Sequence, residues 1–471
     1  MPRIIVIGGG IGGLAASAIL ARAGNEVKLI EGQSWLGGKS RRITIDGQRI
    51  DTGPSMVTFP GALDQIFTTY DQLGSQSQKA KDIAGIRLRR LPEVGRYFFR
   101  SEQVNLPVEN DHPWSRDWQQ FQSEHGYLGP EITKLLTTDP RSLRVLSSVT
   151  RLLARYGSKL TTQRYLDSLG WMPPDLKEII AIHTLNAGVS PDRTLAMYAS
   201  MAAVMASDGV YVPEGGVYEI VKGLENLARH AGVSIKKNEP VIAVDKRHVV
   251  TTKQDYEHDY VVCATDGGIL DHLLGKKMKP PKKLSCSGVA VFGVLRENLP
   301  LQTVTHSVML PDNPERLFED LTENRLPSQT MAFLNYYAPN TIYPNDKPVA
   351  ALLLTAPPNG MSARLTDPFV QSEAGRFSKL MGLERNITEM MTKVRILDPE
   401  YFAGFGSIGG ALYGSPTKWW RSGPLHSPSY SSPRRPWLWR VGSSVHPGGG
   451  IPAVLGGTLI STRRLLRVID L

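Results

Sequence analysis

The chain has 471 residues, 41% of them hydrophobic and 21% charged, with two cysteines and a formal net charge of +10. That composition leaves room for more than one core and argues against a disordered chain or a small disulfide scaffold. No run of about 18 or more uninterrupted apolar residues occurs, so no transmembrane helix is expected.

A strand begins within the first few residues, which leaves no space for a leader segment. Cys263 and Cys286 both fall in strand-like runs. Buried free thiols and a reducing, cytoplasmic location are therefore expected. The basic excess gathers at Arg87, Arg89, Arg90, Arg96 and Arg100, at Arg434 and Arg435, and at Arg463, Arg464 and Arg467. No nucleic-acid-binding motif accompanies it, so a nucleic-acid partner is not expected. An anionic membrane surface suits such patches better, beside the plainer reading of solvated surface charge.

The apolar run Ile4–Ile7 reads as a buried strand, followed by Gly8-Gly9-Gly10-Ile11-Gly12-Gly13 and a helix to about Ala23, stopped by Gly24. In this pattern Gly8 allows the tight turn, Gly10 admits a pyrophosphate, and Gly13 lets helix and strand pack closely. The helix N-terminus points unpaired N–H groups at the phosphates. A second strand, Val27–Ile30, ends at Glu31. A carboxylate there accepts from a ribose diol and repels a 2′-phosphate. Asp46-Gly47 predicts a hairpin between Ile43–Ile45 and Gln48–Ile50. Strands are expected at 96–99 and 104–106, and residues 115–207 read as largely helical. Met197, Met201 and Met205 stand at i, i+4 and i+8. A core helix face is the plainer reading, a polyene channel the sharper one.

After Tyr211–Gly216 comes an amphipathic helix from Val217 to Ala231, then strands at 233–235, 241–245, 248–251 and 260–264. Residues 287–355 are β-rich. The stretch 414–436 reads as loop, where Trp419 and Trp420 beside Lys418 and Arg421 suit a bilayer interface or ordinary packing. A last strand, Leu438–Val441, leads through Gly442 and His446-Pro447-Gly448-Gly449-Gly450 to a helix expected from about Gly456. Asn386-Ile387-Thr388 matches a glycosylation sequon and reads as chance without a secretory signal. The final strand–glycine–helix repeats the logic of the first, so the C-terminus is expected to return to the N-terminal fold.

Three segments carry a resemblance. Gly8–Gly13, Glu31 with Leu36-Gly37-Gly38, and Gly47-x3-Asp51-x-Gly53 resemble two-dinucleotide-binding flavoproteins. Asp51–Phe59, Gly188–Pro191, Gly209–Gly216 and above all His446–Pro452 resemble the FAD-dependent carotenoid desaturases of the bacterial phytoene desaturase type, within the amine-oxidase-like superfamily. The resemblance implies an α/β fold: a Rossmann-like discontinuous FAD-binding domain (1–85, 210–286, 431–471) with an inserted α+β substrate domain, whose first part (86–209) would also associate with a membrane and whose second part is 287–430. It implies that Gly8, Gly10 and Gly13 face the FAD pyrophosphate, Glu31 the adenosine ribose, and Lys39 the phosphates or ribose. Pro54 and Ser55 would border the flavin. Val241 would meet adenine through its backbone, with Thr265 just beyond the neighbouring strand. Gly442 would approach the pyrophosphate or ribityl chain, and Ile451 and Pro452 the isoalloxazine. Ser443 stands where an acid often follows the C-terminal glycine, a departure that weighs against an amine oxidase.

The implied activity is desaturation of an acyclic carotenoid, with hydride transfer to flavin N5 and oxygen or a quinone as acceptor. A lipophilic substrate and peripheral attachment to a membrane go with it. A flavin-dependent carotenoid cis–trans isomerase, a flavin amine oxidase and a flavin-free prenylated-GTPase escort protein are the alternatives. The cofactor carries the hard step, so no catalytic triad or metal is expected. His183, His306 and His446 are the acid–base candidates, each with a structural reading beside it, and no catalytic residue is assigned.

Overall fold

The computed structural model describes residues 1–74, 78–277, 283–416 and 430–470. Five parallel strands form the first sheet, in the spatial order Arg435–Arg440, Tyr260–Cys263, Arg3–Ile7, Glu26–Ile30 and Ser234–Lys236, with the short antiparallel Ser431–Ser432 on one edge. By chain position this is the doubly wound order, with the first strand between the second and the fourth. The sheet therefore joins the beginning, middle and end of the chain in an α/β fold.

Period-two geometry explains its apolar strands, which are covered on both faces. Ile4 and Val6 turn toward the helix Ile11–Arg22 and the main core. Ile5 and Ile7 turn the other way, into a cluster with Val244, Val249 and Tyr256 of a small antiparallel sheet, Val241–Val244, His248–Thr251 and Asp255–Glu257. Each fully buried isoleucine contributes roughly 1.5–3 kcal/mol. Helix Ile11–Arg22 packs against Tyr218–His230 and the C-terminal helix Ile451–Ile469. Gly24, at φ +88°, follows it as the expected stop.

A second sheet of seven strands runs Met391–Leu397, Ser287–Leu295, Val349–Ala356, Ala332–Tyr337, His306–Met309, Gly95–Phe99 and Glu102–Leu106. All nine residues of Ser287–Leu295 are buried. Val289 and Val291 pack toward Phe377 of the helix Pro368–Leu380, while Ala290 and Phe292 join the main core. A helical cluster between residues 115 and 208 covers the remaining side.

Two sequence expectations change. The last helix begins at Ile451, not Gly456, because Gly450 at φ +88° ends the preceding turn and Pro452 suits a first helical turn. The methionine stripe is not one helix. Met197 lies in the 3-10 turn Ala196–Ser200 and Met201 opens the α-helix Met201–Asp208, and all three methionines pack on the main core. Trp419 and Trp420 lie outside the described residues.

Candidate functional site

The crevice forms where Arg3–Ile7, Tyr260–Cys263 and Arg435–Arg440 end side by side. Gly8 leaves the first strand at φ +101°, beside Ala264 and Thr265. A Cβ on Gly13 would lie 1.9 Å from the Gly8 carbonyl oxygen, so only glycine lets helix and strand come this close. Gly10 differs. It is the N-cap of Ile11–Arg22, has an ordinary φ of −70°, and a Cβ there would meet nothing within 4 Å. Open space above an uncapped helix N-terminus suits an anionic ligand.

Glu31 sits half-buried at the end of Glu26–Ile30. Its Oε2 accepts from the Gly9 amide at 2.7 Å and its Oε1 from the Gln33 amide at 2.8 Å. Two amides fix the carboxylate, and further lone pairs remain to accept from a diol. The Glu31 backbone meets Lys236 and Glu239, which brings the start of Val241–Val244 to the same flank. Gly10 and Gly37 form an isolated bridge, so Leu36–Gly38 lies along the glycine turn.

Gly442, at φ +99°, stands against Ala264 at the end of the neighbouring strand. A Cβ on Gly12 would approach the Gly442 amide, Val454 and Thr458 at 3.2–3.3 Å, so the first and last helices cross close to their N-termini. Lys39 joins this region to a distant segment of the chain. Its Nζ donates to the Leu412 carbonyl at 2.9 Å and the Ala411 carbonyl at 3.4 Å. The residue as a whole is exposed, with its ammonium laid against the 411–412 backbone. Burial lowers its pKa against the opposing pull of Asp266. Asp266 caps the helix Gly267–Leu273 through the Gly268 amide, and Ser444, rather than Ser443, accepts from the Gly267 amide at 3.1 Å.

Segment 411–414 continues to the far end of the crevice. Tyr413 would touch a Cβ on Gly449 at 2.9 Å, and Gly188 packs equally closely on its ring. Ile451 is buried and Pro452 half-buried at the start of the last helix. Pro54 is exposed and Ser55 half-buried; the Tyr337 hydroxyl donates to the Ser55 carbonyl at 3.4 Å. The glycine cradle, the fixed carboxylate and the two crossing helix N-termini fit a dinucleotide.

One cluster beside the crevice was not read from the sequence. Arg42 holds Asp51 and Glu219, each at 2.7 Å, and donates to the Gly215 carbonyl. The Tyr218 amide donates to Asp51 at 2.9 Å. Burial works against the Arg42 charge, but Asp51 and Glu219 outweigh it and raise its pKa. A Cβ on Gly216 would lie 2.3 Å from both Asp51 and Tyr343. The cluster locks the early hairpin onto 215–219 and, through Tyr343, onto the second sheet. Asp51 and Gly216 each lay in a quoted motif, and only their pairing was hidden.

The acid–base candidates do not meet at the glycine rim. His183 pairs with the Tyr97 hydroxyl at 2.9 Å, and burial, aided by the nearby His306, lowers its pKa to about 4. His306 pairs with Asn335 at 2.8 Å, stacks on Phe333, and is lowered by burial to about 4. Both are neutral at pH 7. The His446 carbonyl accepts from Tyr430 within the glycine-rich turn. Both cysteines are buried and unpaired by disulfide; burial raises Cys263 and pushes Cys286 up to about 12.

The family model for flavin containing amine oxidoreductases matches residues 11–375. A zeta-carotene-forming phytoene desaturase from Myxococcus xanthus is 25% identical, over 98% of this chain and 94% of its own. A 4,4'-diapophytoene desaturase from Staphylococcus aureus is 25% identical over 99% of both chains. Among solved structures, a putrescine oxidase variant superposes with a TM-score of 0.64 at 13% identity, over 100% of this chain and 99% of the other. Cyclohexylamine oxidase from Brevibacterium oxydans gives 0.61 at 12% identity over 100% of both. The two structures share the fold.

Proposed function

The chain belongs to the flavin containing amine oxidoreductase family, and on that premise we propose that it is an FAD-dependent carotenoid desaturase, introducing double bonds into an acyclic carotenoid. The observation that carries this reading is the end-to-end likeness to two desaturases, of phytoene and of diapophytoene. The structural likeness to amine oxidases shows the shared scaffold and leaves the substrate to be read from elsewhere.

In this reading Gly8, Gly10, Gly13 and the first helix N-terminus hold the pyrophosphate, and Glu31 accepts from the adenosine ribose. Val241 and Thr265 flank the adenosine side. Lys39 holds the crevice wall through 411–412 and offers a cation to the phosphates. Gly442 lies along the pyrophosphate or ribityl chain, and Pro54, Ser55, Ile451 and Pro452 border the ring. Residues 1–85, 210–286 and 431–471 would form the cofactor domain, with 86–209 and 287–430 the substrate domain. Bound FAD supplies the two-electron acceptor for the C–H bonds. A polyene offers no charge to grip, so the chain's task is to orient it and exclude water. The buried, neutral His183 and His306 serve packing here, and no catalytic acid or base is assigned. The substrate dissolves in lipid, so the reading includes peripheral membrane attachment, with oxygen or a quinone as final acceptor.

The test is expression in cells that accumulate phytoene or diapophytoene. A lengthened chromophore with loss of two hydrogens per step is expected. A changed isomer pattern at unchanged mass would make the protein an isomerase. Peroxide release from amines, with carotenoids untouched, would make it an amine oxidase.

A further inference from the structure

The helical cluster carries an apolar surface that the fold does not cover. Leu143 is 81% exposed, Leu146 55%, Leu153 51% and Tyr127 59%, and Leu160 is also exposed. The helix Leu146–Tyr156 sets the direction of Leu146 and Leu153, while Leu143 lies in the 3-10 turn before it and Leu160 in the segment after it. Ser148, Leu152 and Tyr156 point inward and are buried. The next helical positions, Leu146, Thr150 and Leu153, therefore face outward, with Leu143 one turn before. The helix rests on Gly129–Thr137, which rests on the C-terminal helix, so it forms the outermost layer there. Its seat is firm: Ser148 donates to Glu131 at 2.5 Å, Arg151 pairs with the same carboxylate, and Arg155 pairs with Glu124 at 2.9 Å. A helix held this rigidly does not owe its exposed leucines to looseness.

Charge identifies the occupant. Residues 139–160 contain Arg141, Arg144, Arg151, Arg155 and Lys159 against the single acid Asp139. Arg151 and Arg155 answer Glu131 and Glu124, and Asp139 is engaged by Arg464 at 2.5 Å, which leaves Arg141, Arg144 and Lys159 outside any ion pair among the described residues. Like charges crowd nearby: burial and then the charges of Arg467 and Arg144 lower the pKa of Arg463. We propose that Leu143, Leu146, Leu153 and Leu160, flanked by Arg144 and Lys159, dock on the surface of an anionic phospholipid bilayer. An apolar stripe bordered by basic side chains is the pattern that settles at the headgroup boundary. A second copy of the chain fits poorly, because two such faces would set cation against cation. Among the described residues no helix is long and apolar enough to cross a membrane, and docking through this face needs none. The proposal deepens the membrane attachment named above but stands on the surface itself.

Flotation with vesicles tests it, using the FAD-loaded full chain. Wild type is expected to float with phosphatidylcholine–phosphatidylglycerol vesicles and weakly with phosphatidylcholine alone. The triple substitution L143S/L146S/L153S should lower binding by about tenfold or more, with flavin content and melting temperature unchanged because these side chains are exposed. R144Q/K159Q should remove the preference for anionic vesicles. Binding unchanged by the serine substitutions would overturn the proposal. So would a wild-type dimer in light scattering that the same substitutions dissociate. Desaturation of detergent-dispersed substrate, measured in parallel, separates the outcomes. Vesicle binding lost with desaturation kept supports the docking face, and desaturation without any wild-type vesicle binding overturns it while leaving the enzyme reading intact.

Discussion

At the end of the parallel sheet, polar groups are gathered but left open. Glu31 is half-buried on two amides, Gly10 faces empty space, and Lys39 is exposed with its ammonium on the 411–412 backbone. In the seven-stranded sheet and its helical cover, polar groups are sealed. His183 and Tyr97 are buried and paired with each other, and His306 is buried and paired with Asn335. The first arrangement keeps hydrogen-bonding capacity for a ligand. The second spends it internally, so its histidines stay neutral and structural. Backbone geometry defines the rim, whereas desolvation defines the sheet.

The largest expected effect lies on the sealed side. Both histidines have folded values of about 4 against an ordinary 6.5. Between those values the unfolded chain takes up protons that the native chain refuses. Stability present above pH 6.5 is therefore lost as pH falls through 4. Together the pair accounts for on the order of 7 kcal/mol, at about 1.4 kcal/mol per unit for each. Urea midpoints from pH 7 down to 4 should fall steeply, and His306→Asn should flatten the slope. A flat wild-type curve would erase the distinction drawn here.

Next is the clamp between the two regions. Arg42→Leu strips Asp51, with only 5% of its side chain exposed, of its counter-charge, while Glu219 keeps Lys222 at 2.9 Å. A loss of about 3–5 kcal/mol is expected in chemical unfolding. A loss below about 1 kcal/mol would mean the clamp is worth no more than a surface pair.

A smaller and sharper contrast separates two glycines of the rim. Gly13→Ala should cost about 2–3 kcal/mol, because its Cβ collides with backbone. Gly10→Ala should leave the melting temperature unchanged yet weaken FAD about tenfold, since its Cβ enters only open space. Titration of flavin fluorescence reads the difference. Equal FAD affinity in Gly10→Ala and wild type would remove Gly10 from the pyrophosphate.

The rim was legible because its rule is local. Gly8, Gly10 and Gly13 serve a turn, an opening and a close approach within six residues, and each leaves a glycine in the sequence. The centre of the doubly wound sheet was legible for a similar reason: Ile4–Ile7 and Val261–Cys263, buried on both faces, read as continuous apolar runs. Arg42 was illegible because its two acids lie 9 and 177 positions away. Lys39 was read toward a ligand, and the second hold of its ammonium, on carbonyls more than 370 positions on, left no mark in the sequence. The start of the last helix was misplaced because Gly450-Ile451-Pro452 reads equally as turn and as first helical turn. The exposed leucine face was missed because leucine spacing between 143 and 160 looks like core until the inward set, Ser148, Leu152 and Tyr156, is seen to be buried.

The most direct test of the whole account is product mass from the purified, FAD-loaded protein supplied with phytoene or diapophytoene in anionic vesicles. The account predicts loss of two hydrogens per step together with a red-shifted spectrum. Carotenoid recovered at unchanged mass, from protein shown to hold FAD, would contradict it.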